Sequence, residues 1–589
     1  MTDKWHVDEN KAWFKTYWPQ EVPKNLNFEE ISAGEFFERQ RAKYPDENMM
    51  WFLETWMTYE EAGKLIDSLA TSLAELGVEK GDCVALMLPN SFQYVISFYA
   101  CQKIGAIATG INPTYKPMEV LHHLEITEAK YLVVLDALYE PLIKPIIGKT
   151  DIEKVIYTNI ADLASGIPGI LKFIGKLVGK IPKGKVDFAP SYELKNLLET
   201  PPNLPDVKIN PLEDTATYIM TGGTTGVPKA TNLTHFNMVS NAIQCMNWLG
   251  GEQPGIGDIG VLPLFHSFGL TAVMNTAIAL GGWIMLFPRP PETEEFLKTV
   301  QKLPAPKGLA YAGAEILFKR LAEFPEIHEY DIMGKLRLCI SGAGPLHAPV
   351  QEAFQENTGG TIVEGYGLSE ASPVVSSGSL FGGTPLGNIG MPIPGTDWAI
   401  FDSTSENLSA GPIANGLPGS KYGEENTGEI CVCGPQVMKG YLNQPEETAE
   451  TVQEWNGRLW LRTGDIGFMS EEGLVTIRDR KKQLIKVAGH SVFPKEVEEF
   501  LMRHEAVSEA AVAGLPDPEG KVGEIIKAWV ELKPGYQGKI KAEDLKGWAE
   551  ENLTRWKCPT EIEFIPEVPK NVLGKVQRRA LQEADPLWK

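Results

Sequence analysis

The run Thr221-Gly222-Gly223-Thr224-Thr225-Gly226-Val227-Pro228-Lys229 brings together the groups that hold a polyphosphate. Its glycines allow backbone N–H groups to turn towards an anion, its threonine hydroxyls add donors, and Lys229 supplies positive charge. It follows the strand-like Thr217-Tyr218-Ile219-Met220, which would deliver it at a strand end. The spacing differs from the loop of kinases and GTPases. Val227-Pro228 separates Gly226 from Lys229, and proline withholds a donor where that loop begins its helix. Gly/Thr-rich loops are also ordinary turns, so this run needs company before it reads as a site.

A second run, Glu364-Gly365-Tyr366-Gly367-Leu368-Ser369-Glu370, supplies complementary chemistry. Its glycines permit close approach, Tyr366 offers a stacking face for adenine, Ser369 a hydroxyl for phosphate, and Glu370 a hard oxygen ligand for magnesium. A solvated loop has the same composition. Upstream, Ser341-Gly342-Ala343-Gly344-Pro345-Leu346 ends a strand with small residues, where a flat base can slide against backbone. A plain strand-to-loop turn is the alternative.

The elements that must carry these loops read as a parallel-sheet α/β architecture. From about residue 50, apolar runs such as Cys83 to Leu88 and Tyr131 to Leu135 alternate with helical patterns such as Gln93 to Ile104. From about 390 to 478, Gly/Pro-punctuated strands such as Gly428 to Gly434 predict a small β-barrel subdomain. After the charged run Arg478-Asp479-Arg480-Lys481-Lys482, the chain has its own strands (525–532, 562–565) and helices (494–502, 542–552). The predicted organisation is a large sheet-rich N-terminal domain over 1–479, including the β subdomain, and a smaller α+β C-terminal domain over 480–589.

At 589 residues the chain exceeds what one hydrophobic core supports, and its 43% hydrophobic and 22% charged residues are those of a protein that folds throughout. A formal charge of -22 disfavours nucleic-acid partners, so any anion site must be built locally. Seven scattered cysteines, of which Cys431 and Cys433 read as same-face strand residues, fit reduced cytoplasmic thiols. The start, Met1 to His6, lacks the pattern of an export or transit segment, and Val273 to Pro288, broken by Gly281-Gly282, is too short and interrupted for a membrane helix. One segment departs from the core pattern. Ile170 to Ile181 spaces Lys172, Lys176 and Lys180 four apart among Leu171, Phe173, Ile174, Leu177 and Val178, although Gly175 and Gly179 weaken the helix. Such a basic amphipathic helix suits an anionic membrane surface. The plainer expectation is that its apolar stripe packs on its own domain.

Taken in order, these runs resemble the adenylate-forming superfamily of acyl-CoA synthetases, firefly luciferase and nonribosomal peptide adenylation domains. The resemblance spans roughly residues 30 to 585. It includes Leu233-Thr234-His235, Leu262-Pro263-Leu264-Phe265-His266, Trp460-Leu461-Arg462-Thr463-Gly464-Asp465, Val487-Ala488-Gly489, and Pro569 to Arg579 around Lys575. It implies that Thr221, Gly222, Gly223, Thr224, Thr225, Gly226 and Lys229 hold phosphates, with Thr224 and Glu370 at the metal. Gly342, Ala343, Gly344, Glu364, Gly365, Tyr366, Gly367, Leu368 and Ser369 would line the nucleotide, joined by Ile477, while Asp465 and Arg480 grip the ribose. Lys575 would neutralise charge during adenylation. His266 would lie at the acyl pocket, whose wall includes Tyr311 and Gly313, and gate the approach of coenzyme A; a satisfied core histidine is the alternative. Lys482 falls at the hinge of a mobile C-terminal domain, and Lys486 and Gly489 at the coenzyme A path. Ser369 stands where threonine is usual, Ala230 where glycine is common, and Gln483 where an acid is frequent; none removes a catalytic group.

The implied activity is an AMP-forming acid–thiol ligase using ATP, Mg2+ and coenzyme A. The 170–181 segment and the likeness of Val487 to Pro494 to long-chain members favour a medium- or long-chain fatty acid. Small residues in Tyr311-Ala312-Gly313-Ala314 would equally admit an aromatic or alicyclic acid. An adenylation enzyme serving a carrier protein, and a noncatalytic nucleotide-binding module, are the remaining alternatives, although the chain shows no carrier domain. A cytoplasmic monomer or homodimer is expected, with peripheral membrane contact through the 170–181 segment.

Overall fold

The computed structural model describes residues 4–221, 228–487, 490–518, 523–571 and 574–588. Two compact units emerge, one drawing on residues up to 397 and on 432–461, the other on 398–431 and on 462 onwards.

Two mixed sheets dominate the first unit. In one, the strands run in the order Met391–Pro392, Val374–Ser377, Thr361–Gly367, Leu336–Ser341, Leu309–Gly313, Gly257–Gly260, Trp283–Leu286, Asn48–Phe52 and Thr55–Thr58. The six strands from Thr361–Gly367 to Asn48–Phe52 pair parallel, and antiparallel strands close both margins. The other sheet is ordered Gly440–Tyr441, Lys229–Thr234, Thr215–Thr221, Ile107–Gly110, Cys83–Met87, Tyr131–Leu135, Lys154–Thr158 and Ser191–Glu193. Strands such as Cys83–Met87 are buried along their whole length, which is why they read as continuous apolar runs. The α/β expectation therefore holds for this unit.

Helices fill the spaces by local rules. Ser91 caps Phe92–Ile104, which ends at Gly105 in the left-handed region with φ 71°. Leu233-Thr234-His235 proves to be a helix start. The Thr234 hydroxyl accepts from Asn237 N, Asn237 Oδ1 accepts from Thr234 N, and His235 Nδ1 accepts from Ala33 N at 3.2 Å. Burial pushes His235 down to about 4, so it is a neutral acceptor at physiological pH. The 273–288 stretch is buried as a π-helical turn, the helix Thr276–Leu280 and the strand Trp283–Leu286. Among the described residues no helix is long and apolar enough to cross a membrane.

The 170–181 segment corrects the sequence reading twice. Its helix spans Gly169–Leu177, because Gly179 takes φ 75° and turns the chain back. Its apolar stripe does not pack on its own domain, and Ile170, Leu171, Phe173, Ile174, Leu177 and Val178 are all exposed.

In the second unit, residues 465–469 pair antiparallel with Val475–Arg480. Val507–Pro516, Glu524–Leu532 and Glu561–Phe564 form a three-stranded sheet covered by Pro494–Leu501 and Ala542–Asn552 around Val497, Leu501, Val512, Ala528, Val530 and Leu545. All seven cysteines are unbridged, and Cys431 and Cys433 share a buried strand.

A buried acid lies on a central strand of the first unit. Asp258 lies on Gly257–Gly260, paired with Ile284 and Ala310, and its Oδ1 has no hydrogen-bond partner. Burial raises its carboxyl well above the usual range. Its stability contribution is therefore intact below the unfolded carboxylate's value of about 3.9 and is lost as pH rises towards the folded value, by about 1.4 kcal/mol per unit. Asp258→Asn, which cannot ionise, should gain on wild type in urea unfolding as pH climbs from 5 to 8; parallel pH profiles would refute the assignment.

Candidate active site

Register brings three of the predicted runs to one sheet edge. Gly313 pairs with Ser341, and Ser341 pairs with Glu364, so the loops that follow leave side by side. Parallel strands all present their carboxyl ends on the same edge, the usual place for ligands. Gly342 N donates to Gly313 O at 2.8 Å, and Leu346 N donates to Glu364 Oε2 at 3.1 Å, tying Gly342 to Leu346 between the two neighbouring strands. A Cβ on Gly342 would stand 2.8 Å from Phe268 Cζ, so glycine is what lets that ring pack against backbone. Next to it Ala343 is held at φ 64°, a sparsely populated conformation that recurs at ligand sites.

The Tyr366 to Glu370 run leaves the next strand. Tyr366 pairs with Ser376, and Leu368 N donates to Pro373 O at 3.0 Å, folding the run into a short turn over Ser369–Ala371. The Ser369 and Ser267 hydroxyls meet at 2.9 Å, which joins this turn to the Leu262 to His266 segment. That segment extends the Gly257–Gly260 strand, with Asn90 bonding Leu262 O, Gly260 O and Leu264 N. His266 Nδ1 accepts from Phe268 N at 3.2 Å, which assigns the ring proton of the neutral tautomer to Nε2. Tyr311 is packed in the aromatic core, 5.5 Å from Phe296 and 4.8 Å from Phe318 between ring centroids, and burial raises its phenol.

Glu370 has a partner the sequence did not reveal. Tyr441 Oη donates to Glu370 Oε1 at 2.8 Å, and Lys229 Nζ lies 5.1 Å over the Tyr441 ring while forming an ion pair with Glu447. Burial first, and the Glu370 charge second, hold the Tyr441 phenol above its usual range, so it remains a donor. Tyr441 arrives by pairing with Thr231, a strand contact between residues about two hundred positions apart. A Gly-Tyr dipeptide carries no local mark of that role, and Glu447 and Ser267 were equally silent. Thr221 faces Lys229 across the hairpin, its hydroxyl 3.4 Å from Lys229 O, so the two bracket the phosphate run. Gly222, Gly223, Thr224, Thr225 and Gly226 lie outside the described residues.

The second unit holds the other predicted residues. Asp465 and Arg480 are register partners and form an ion pair at 3.0 Å, and Ile477 pairs with Gly467 on the same hairpin. The Asp465 side chain is buried and that of Arg480 half-exposed. Lys482 belongs to the short turn Lys481–Gln483, and Lys486 is exposed on Ile485–Val487; Gly489 lies outside the described residues.

Lys575 is carried on a closed turn. Its N–H donates to Asn571 Oδ1, its carbonyl accepts from Asn571 N, and Lys570 pairs with Val576, with Gly574 at φ 77°. Behind the turn, Arg578 reaches Glu498 through bonds of 2.7 and 2.5 Å and donates to Gln483 Oε1 at 3.0 Å. Glu498 is buried, and burial pushes its carboxyl up although Arg578 opposes.

Comparison with known proteins gives a consistent result. Residues 37–442 match the model of the AMP-binding enzyme family, and residues 496–575 match the AMP-binding enzyme C-terminal domain. A long-chain-fatty-acid–CoA ligase of Bacillus subtilis is 36% identical over 585 residues, covering 98% of this chain and 99% of that one. A probable 4-coumarate–CoA ligase of Dictyostelium discoideum is 30% identical over 97% of this chain and 98% of its own. The crystal structure of a long-chain-fatty-acid–CoA ligase from Archaeoglobus fulgidus superposes with a TM-score of 0.65 at 27% identity, covering 93% of this chain and 99% of that one.

Removing Arg578 would leave Glu498 buried without its cation. Arg578→Ala should cost about 3 kcal/mol, the lower end for a broken buried pair because Glu498 can take up a proton. Amide exchange along Val507–Pro516 should speed by about a hundredfold, and Glu498→Gln/Arg578→Met, which keeps an uncharged acceptor for Val512 N, should restore most of the protection. Unchanged exchange in Arg578→Ala would show that the pair does not hold Pro494–Leu501 against that strand.

Proposed function

The chain belongs to the AMP-binding enzyme family and is an acid–thiol ligase of the AMP-forming kind, and from that premise we propose that its acid is a medium- or long-chain fatty acid. The 585-residue similarity to a ligase named for long-chain fatty acids supports this class. The observation that supports this site most is the register alignment of Gly313, Ser341 and Glu364, which brings the ends of three strands, and the loops that follow them, to one sheet edge.

In the first half-reaction a carboxylate oxygen attacks the α-phosphorus of ATP. The bond to the β-phosphate breaks, pyrophosphate leaves, and an acyl-adenylate remains. Gly342, Ala343, Gly344 and Tyr366 flank the adenine, with Gly365, Gly367 and Leu368 shaping the nucleotide bed. Thr221, Ser369 and Lys229 hold phosphates together with Gly222, Gly223, Thr224, Thr225 and Gly226, while Asp465, Ile477 and Arg480 meet the ribose. Lys575 neutralises charge as the carboxylate attacks. Alignment and fixed charge are what this chain contributes to the step.

The residues fit a magnesium ion. Glu370 is a hard oxygen donor held by Tyr441, and among the described residues no cluster of three His, Cys, Asp or Glu side chains competes as a metal cage. Magnesium is commonly held by one or two carboxylates together with substrate phosphates and water, which suits Glu370 with Thr224. When bound, it would supply charge neutralisation at the phosphates.

In the second half-reaction the thiolate of coenzyme A attacks the acyl carbonyl, the bond to the AMP oxygen breaks, and AMP departs. Lys486 and Gly489 flank the thiol's path and His266 gates it. A domain boundary near 480, with 1–479 before it, the β subdomain over 390–478 and 480–589 after it, allows a hinge at Lys482 to exchange the Lys575 turn for the Gly489 surface. Tyr311 and Gly313 contribute to the acyl wall. Gly313 with its alanine neighbours favours the second reading, an aromatic or alicyclic acid, and so does the 30% identity to a probable 4-coumarate–CoA ligase. The protein works in the cytoplasm as a monomer or homodimer, at the periphery of a membrane.

Release of AMP that depends on both acid and coenzyme A, measured across linear and cyclic acids, tests the function. The greatest kcat/KM should fall on linear acids, and cyclic acids leading the panel would favour the second reading. Lys575→Ala should slow acid-dependent exchange of labelled pyrophosphate into ATP by about 10²–10³-fold, yet still convert supplied acyl-adenylate to thioester. Equal loss of both half-reactions would remove Lys575 from the first.

A further inference from the structure

The segment 165–185 of the first unit takes no part in the nucleotide chemistry. It holds Lys172, Lys176, Lys180, Lys183 and Lys185 and no acidic residue, in a chain whose formal charge is -22. Its helix Gly169–Leu177 is turned inside out. Ile170, Phe173 and Leu177 are 70%, 67% and 70% exposed, whereas Lys172 and Lys176 are half-buried against the unit. Lys176 reaches Asp162 at 3.7 Å, and burial draws Lys172 below the usual amine range while Asp162 opposes it.

Both ends of the segment are pinned. Gly166 N donates to Thr55 Oγ1 at 2.8 Å, and a Cβ on Gly166 would stand 2.0 Å from Glu54 O. At the other end Asn159 Nδ2 donates to Pro182 O at 2.7 Å, and Ile181 N donates to Gly175 O at 3.0 Å as its side chain folds over Gly175. Polar anchors beneath the helix thus fix an apolar ridge outward, with the exposed Lys180, Lys183 and Lys185 trailing beside it.

We propose that this strap docks on an anionic lipid bilayer, resting on the reading above that the acid is one that dissolves in membranes. The ridge enters the headgroup boundary, and the trailing lysines meet anionic headgroups. A local excess of cations around apolar side chains, on an otherwise acidic protein, is the charge pattern that such a surface selects.

Co-sedimentation of the full chain with vesicles of phosphatidylcholine, with and without phosphatidylglycerol, tests it. Wild type should bind the mixed vesicles and largely ignore the neutral ones. Lys180→Gln/Lys183→Gln/Lys185→Gln should weaken binding by about a hundredfold, roughly fivefold per lysine. Phe173→Ser/Leu177→Ser should abolish it. Variants that bind as wild type does would overturn the proposal, as would a wild type that ignores vesicles and forms a concentration-dependent dimer dissolved by the serine pair. AMP release with a water-soluble medium-chain acid, measured without vesicles, should be the same in all forms. Failure of that activity everywhere would sink the catalytic reading, while vesicle binding would still decide the docking separately.

Discussion

Parallel pairing of Leu309–Gly313, Leu336–Ser341 and Thr361–Gly367 is the constraint on which the candidate site depends. In a parallel ladder every strand ends on the same edge, and the backbone groups beyond the last paired residue must find new partners. Gly342 N finds Gly313 O and Leu346 N finds Glu364, so the loops are bonded to one another before any ligand arrives. Close approach is then a matter of side-chain volume. With Phe268 against Gly342, a larger residue there would displace the ring and the Ser267–Ser369 contact beside it. Residues far apart in sequence become one surface through register, and register is held by the burial of both sheet faces.

Electrostatics imposes a second condition. In an acidic chain the cations of an anion site compete with nearby carboxylates, and two cations of the proposed nucleotide site, one assigned to phosphate and one to ribose, already have carboxylate partners. Lys229 pairs with Glu447 and Arg480 with Asp465. A phosphate that takes Lys229 from Glu447 exchanges one charge-assisted contact for another, so the net gain is smaller than the contact alone suggests. Tyr441 ties a second acid to this arrangement. Its hydroxyl stays bonded to Glu370, and its ring face stays under the Lys229 ammonium.

Legibility in the sequence followed locality. Strands such as Cys83–Met87 and helices such as Phe92–Ile104 were readable because both are buried almost throughout, and the helix is bounded by Ser91 and Gly105. The runs Ser341 to Leu346 and Glu364 to Glu370 were readable because small residues and hydroxyls cluster within each. Tyr441 was not, because its significance lies in a two-residue strand pairing with Thr231, and nothing within Gly440-Tyr441 predicts a partner that distant. Leu233-Thr234-His235 shows the opposite case. It stands among the runs that carry the family likeness, yet its observed work is to cap a helix and accept a hydrogen bond from Ala33.

The helix Gly169–Leu177 shows why periodicity alone does not settle orientation. An amphipathic pattern states that one face differs from the other; it does not state which face the rest of the chain will take. Here the choice falls to the polar side. Asp162 attracts Lys176, Asn159 holds Pro182, and the small residues Gly166 and Gly184 let the chain lie flush against Glu54 and Asp136. Each of these contacts is modest, but together they oppose the tendency of the apolar face to roll inward. An apolar surface held open in this way retains its hydration penalty until something apolar covers it, so the anchors beneath the helix convert a local cost of folding into affinity for a partner outside it.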